Sequence, residues 1–186
     1  MRYWMIFILI FLNLSCELES QRSRPSYYSN GKFGEFEPYV RSFDSNYYRY
    51  TGKTLPLDNL EMEFADSASS GSDRAVGECN YRTRKIKVIR KYWQSASSNE
   101  RTIIIYHELG HCYLRRGHKS DKSGSMPLSI MYPTIKTNNF FQDNKQDYLE
   151  ELFTGNTSQF SSLVYHQQLA LKEESDDKDE ETFCRH

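Results

Sequence analysis

Apolar positions along the chain fall into blocks of different period. FEPYVRSFDSNYYRYTG (36–52) repeats aromatic and aliphatic residues at three- and four-residue intervals and predicts a first helix closed at Gly52. LEMEFAD (60–66) alternates apolar with charged residues, the pattern of a half-buried strand. After the Ser/Gly-rich SASSGSD come two further runs, AVGECNY and KIKVIRKYW, joined by the short polar RTR, and these predict a hairpin. SSNERTIIIYHELGHCYL (97–114) opens with Ser97 and Glu100 in capping-box spacing. Ile103, Ile104, His107, Glu108 and His111 then recur at helical intervals. A loop follows from Gly117 to Thr137, then a helix over FFQDNKQDYLEELFTG that ends at Gly155, then a last amphipathic stretch from Ser158 through Leu171.

The two ends lack this patterning. Residues 1–15 carry Arg2 and then YWMIFILIFLNL, too short to cross a bilayer comfortably but suited to the apolar part of a secretion signal. NLSC follows, and the combination resembles a bacterial lipoprotein signal of the looser, spirochaete-like form, which implies cleavage before Cys16 and lipidation of that cysteine. The expected organisation is a signal over 1–15, a polar tether over 16–32, a folded body over 33–171 and an acidic, disordered tail over 172–186. Export to a bacterial envelope, anchored at the outer membrane or surface or else secreted, puts Cys79, Cys112 and Cys184 in an oxidising space. A Cys79–Cys112 bridge would tie the hairpin to the helix.

Composition narrows the partners. With 24 Lys and Arg against 25 Asp and Glu, the formal net charge is -1, and no basic arm is present, so nucleic acid is excluded as the expected partner. The 14 tyrosines and 11 phenylalanines supply enough apolar area for one small core, and a monomer is expected.

Chemistry concentrates in HELGHCYLRRGH, residues 107–118, which holds three of the five histidines. Residues four apart on a helix share a face, so His107 and His111 can present two imidazoles to one metal, and zinc suits that donor set. Glu108 is turned about 100° away, close enough to hold a water but not to ligate, as a general base requires. His118 could join only if the chain turned back, and Gly117 is the expected left-handed cap. Asp121, Glu150 and Glu151 are the other candidates for the third ligand. Arg115 and Arg116 either favour the helix C-terminus electrostatically or face an acidic substrate. His166 and His186 read as structural.

The helix motif followed by SIMYP (129–133) resembles the metzincin clan of zinc metallopeptidases, and MYP is especially similar to the methionine turn of matrixins. The resemblance covers about residues 60–153. It implies Zn2+ on His107, His111 and His118, Glu108 as catalytic base and Met131 as an apolar floor. Tyr132, Pro133 and Thr134 would line the substrate pocket. In the clan, a glycine stands three and the third histidine six positions after the second. Here those positions are Leu114 and Gly117, so His118 stands one later.

The resulting expectation is an α+β, metzincin-like fold: a small mixed, twisted sheet on an active-site helix, then a loop-rich lower half with a C-terminal helix. The expected function is zinc-dependent endopeptidase activity on a peptide or protein substrate, the peptide pairing with an edge strand around NYRTRKIKV. The alternative is a non-catalytic surface lipoprotein or adhesin that keeps the fold.

Overall fold

A computed structural model describes residues 31–69, 75–134 and 140–157. The expectations for the signal, Cys16, residues 16–30 of the tether, the stretch from Ser158 to Leu171 and the tail lie outside these residues.

The fold is mixed α+β, with a small sheet and helices around one core. Helix α1 spans Glu37–Thr51, with Pro38 in its first turn and Gly52 left-handed at φ 68°. Its buried Val40 and Phe43 face inward, and the Phe43 ring meets Tyr106 and Phe153 edge-on at 5.0 and 5.1 Å. Strands β1 (Glu61–Ala65), β2 (Gly77–Asn80) and β3 (Lys85–Ile89) form a sheet in the order β1-β3-β2. β1 runs parallel to β3, and β2 runs antiparallel to it.

This order corrects one expectation. Lys85–Ile89 is the central strand, because β1 occupies its second side, so the free edge nearest the helix motif belongs to β2 alone. Along β3, Ile86 and Val88 are fully buried while Lys85 and Lys87 point to the other face. The run KIKVIRKYW is not one strand either. It breaks after Ile89 into helix α2, Arg90–Ser95, and this turn delivers Trp93 to a cluster with Phe36, Tyr39 and Phe64.

Helix α3, Ser98–Leu114, packs on β2 and β3. Its start matches the capping box: Glu100 N–H donates to Ser97 Oγ, and Ser97 N–H donates to the Glu100 carboxylate. Its end departs from expectation. Arg115, at φ 55°, is the left-handed residue, Arg116 N–H reaches back to the Gly110 carbonyl, and Gly117 has no positive φ. The chain must leave the helix before Gly117 for His118 to swing back.

The lower half holds a small hairpin, β4 (Lys122–Ser123) with β5 (Met126–Pro127), inside the segment expected as plain loop. Two helices follow, α4 (Phe140–Asp143) and α5 (Lys145–Thr154), where one was expected, and Gly155 ends the second at φ 80°. Among the described residues no helix is long and apolar enough to cross a membrane.

Candidate metal centre

Strand β2 and helix α3 run side by side in matched register. Two strand residues advance roughly 6.6 Å and three to four helix residues about 4.5–6 Å, so contacts repeat nearly in step. Gly77 lies against Glu108, Cys79 is joined to Cys112 by a disulfide, and Tyr81 stacks with Arg115. A Cβ on Gly77 would sit 2.9 Å from Glu108 Cγ and Oε1, so glycine is what lets the strand backbone lie directly over that carboxylate.

His107, His111 and His118 converge at their Nε2 atoms, which lie 3.1 to 3.2 Å apart pairwise. Nitrogens bound tetrahedrally to one zinc at roughly 2.0–2.1 Å would be about 3.3 Å apart, so the triangle fits such an ion. The outer nitrogens explain the inner ones. His107 Nδ1 lies 2.8 Å from the Ile130 carbonyl and His111 Nδ1 2.7 Å from that of Arg116. A carbonyl only accepts, so each Nδ1 carries the proton and each Nε2 presents a lone pair. Facing lone pairs repel unless a cation lies between them, and the three histidines could hold a metal ion.

Burial supports this ligand state. His107 is 6 % exposed, and burial lowers its pKa to about 4, against the opposing pull of the Ile130 carbonyl. His111 is lowered for the same first cause. Both are therefore neutral near pH 7, as ligation requires. Glu108, 4 % exposed, is pushed up to about 8 by burial first and by the nearby Glu78 second.

The turn carrying Met131 organises the centre from below. Met131 is fully buried against Gly110, where a Cβ would meet its sulfur at 2.6 Å. The neighbouring Ile130 carbonyl holds His107, and the Met131 carbonyl accepts from Lys119 N–H at 2.9 Å, next to His118. Glu151 on α5 secures both strands of this loop. Fully buried, its carboxylate accepts from Lys119 Nζ and from Ser129 Oγ, each at 2.6 Å, and Ser129 Oγ in turn accepts from Met131 N–H.

These contacts account for the other third-ligand candidates. Glu151 is committed to Lys119 and Ser129, Glu150 accepts from Asn156, and Asp121 is exposed and outside the histidine cluster. Of the expected pocket residues, Pro133 and Thr134 line an open cleft of about 1060 Å3 together with the three histidines and Glu108. Tyr132 turns away under Lys122. The sequence pattern does not mark Gly77, Lys119 or Ser129, and it presents Glu151 as a candidate ligand, not as the anchor of this loop. Only Gly110 left a local signal, as a glycine inside a helix that needs a packing reason.

No family model, curated protein or solved structure matches the chain.

Proposed function

We propose that the protein is a zinc-dependent endopeptidase of metzincin type, exported and held at a bacterial envelope by a lipid on Cys16. The observation that carries the reading is the convergence of three imidazole nitrogens at 3.1 to 3.2 Å, with Glu108 on the next helical position under an edge strand. Three imidazoles with room for a fourth ligand suit catalytic zinc better than the hard cations, which prefer oxygen. The metzincin likeness gains support from Met131 beneath the helix. It also gains from the turn itself: the left-handed residue and the third histidine are both displaced by one, so the step of three between Arg115 and His118 is kept.

Bound zinc would polarise the scissile carbonyl and acidify the attacking water. Glu108 accepts a proton from that water and delivers it to the departing amine, so one water and one peptide bond yield a carboxylate and an amine. A nearby cation favours the ionised Glu108 that burial alone opposes. The free edge of β2 pairs with an extended peptide and holds its carbonyl over the centre, while Pro133 and Thr134 flank the residue beyond the scissile bond.

The test compares zinc content and hydrolysis of a quenched fluorescent peptide library for wild type, Glu108→Gln and His118→Ala. The expected result is near-stoichiometric zinc in the first two, weakened zinc in the third, and hydrolysis only in wild type. Hydrolysis surviving Glu108→Gln would reject the mechanism. Zinc without hydrolysis in wild type would favour a binding module.

A further inference from the structure

Two residues other than glycine have positive φ among the described residues, and both are arginines: Arg84 at 58° and Arg115 at 55°. A left-handed arginine costs on the order of 1 kcal/mol that a glycine would avoid, and such strain concentrates where the side chain has a task. Both side chains do the same thing in mirrored fashion. Arg84, from the tip between β2 and β3, lies 4.5 Å over the Tyr113 ring of α3, and Arg115, from the end of α3, lies 5.0 Å over the Tyr81 ring of the tip. The Cys79–Cys112 disulfide sits just behind them.

This crossed pair borders the end of the cleft where Tyr81 and Arg82 lie. Tyr81, 50 % exposed, and Arg82 both line the cleft, and Arg115 is exposed on Tyr81. Asn80 Oδ1 accepts from the backbone N–H of Arg82 and Thr83, at 3.1 and 3.2 Å, which fixes the tip. No carboxylate forms an ion pair with Arg82 or Arg115 among the described residues, whereas Lys85 and Lys119 are each paired.

We propose that Tyr81, Arg82 and Arg115 form a subsite for an acidic side chain of a bound peptide. The inference rests on the peptidase reading for the peptide's course and names its specificity. Tyr81 lies just past the end of β2, four residues on from Gly77 beside Glu108, a span of at most roughly 13 Å. A peptide added antiparallel to β2, the commoner pairing, brings to this end the residue three or four positions before the scissile bond. Tyr81 supplies an apolar face for the stem of that residue, and the two guanidiniums take its carboxylate.

The probes are fluorescent pentapeptides ending in a hydroxamate, which fixes their register on bound zinc, with Glu, Gln or Lys at the third or fourth residue before that group. Binding to zinc-loaded wild type is read by anisotropy. The Glu peptide is expected to bind about three- to tenfold tighter than its Gln counterpart, less so at high salt. Arg82→Gln combined with Arg115→Gly erases the difference; the glycine keeps the left-handed turn, so folding is spared. Arg82→Glu shifts the preference toward the Lys peptide. Equal affinities for Glu and Gln peptides, or no binding by any of them, overturn the subsite. A retained Glu preference without hydrolysis of the matching amide substrates sinks the peptidase reading and leaves the subsite standing.

Discussion

Gly110 and Met131 touch so closely that no carbon fits between them: a Cβ on the glycine would lie 2.6 Å from the methionine sulfur. The contact joins helix α3, between two of its histidines, to the turn whose carbonyls hold His107 and Lys119. A glycine inside a helix costs roughly 1 kcal/mol relative to alanine, and here the close approach explains its presence.

Gly110→Ala should therefore destabilise the protein in spite of its better helix propensity. Overpacking of this kind costs typically 1–3 kcal/mol, so a net loss of about 1–2 kcal/mol is expected in urea titrations. Metal affinity should fall with it, because displacing Met131 moves the partner of His107. An unchanged midpoint and unchanged zinc affinity would contradict the contact.

Gly77→Ala separates the proposed base, Glu108, from the proposed histidine ligands. The added methyl would press on the Glu108 carboxyl, while the three Nε2 atoms lie elsewhere. Zinc content should hold near wild type, and hydrolysis should drop at least about tenfold, in keeping with a misplaced general base. Zinc loss in this variant would mean that β2 supports the ligands and not the base.

Lys119→Met leaves the buried Glu151 carboxylate with Ser129 as its remaining partner of the two. Breaking a buried pair from one side costs about 3–5 kcal/mol, whereas replacing both partners can be nearly neutral. The double variant Lys119→Met with Glu151→Leu should thus recover part of the loss. Zinc affinity, measured by chelator competition, is expected to fall about 10- to 100-fold in the single variant, as is usual when residues supporting a ligand are removed. Full affinity in the single variant would rule out Glu151 as the anchor of the loop.

The metal-free protein should lose stability on either side of a middle pH. His107 titrates at about 4 when folded and near 6.5 when unfolded, so the unfolded state takes up its proton first and stability falls as pH drops through that window. Glu108 has the opposite sign. Its folded value of about 8 lies above the ordinary 4.5, so the folded state keeps a proton that the unfolded state has released, and stability falls as pH rises. Between pH 6.5 and 8 only Glu108 of these two acts, and about 2 kcal/mol should disappear. Glu108→Gln should flatten that limb in urea titrations across pH, and a slope left intact would assign it to another group.

The sequence made the local features legible and hid the non-local ones. Ser97 and Glu100 announced the start of α3 because a capping box is written within four residues, and the histidine spacing followed from one helical period. Strand order was different. Lys85–Ile89 alternates equally well as an edge or a centre, and only pairing with β1, which sets Glu61 against Lys85, decides it. The end of α3 departs from its local pattern because glycine is the expected left-handed residue and Arg115 takes that role at a local cost. Glu151 was legible as a carboxylate but not as an anchor, since Lys119 and Ser129 lie 32 and 22 residues away in sequence.

The Cys79–Cys112 bridge has a further consequence for recognition. A free sheet edge next to a helix would ordinarily breathe, and a visiting peptide would have to still it before pairing. The bridge ties β2 to α3 behind the histidines, so on the peptidase reading part of the entropy of ordering the platform would be spent during folding and not at each encounter. Reduction would remove the covalent tie between β2 and α3, so on the peptidase reading proposed above the oxidised chain would be the better receptor for an extended peptide.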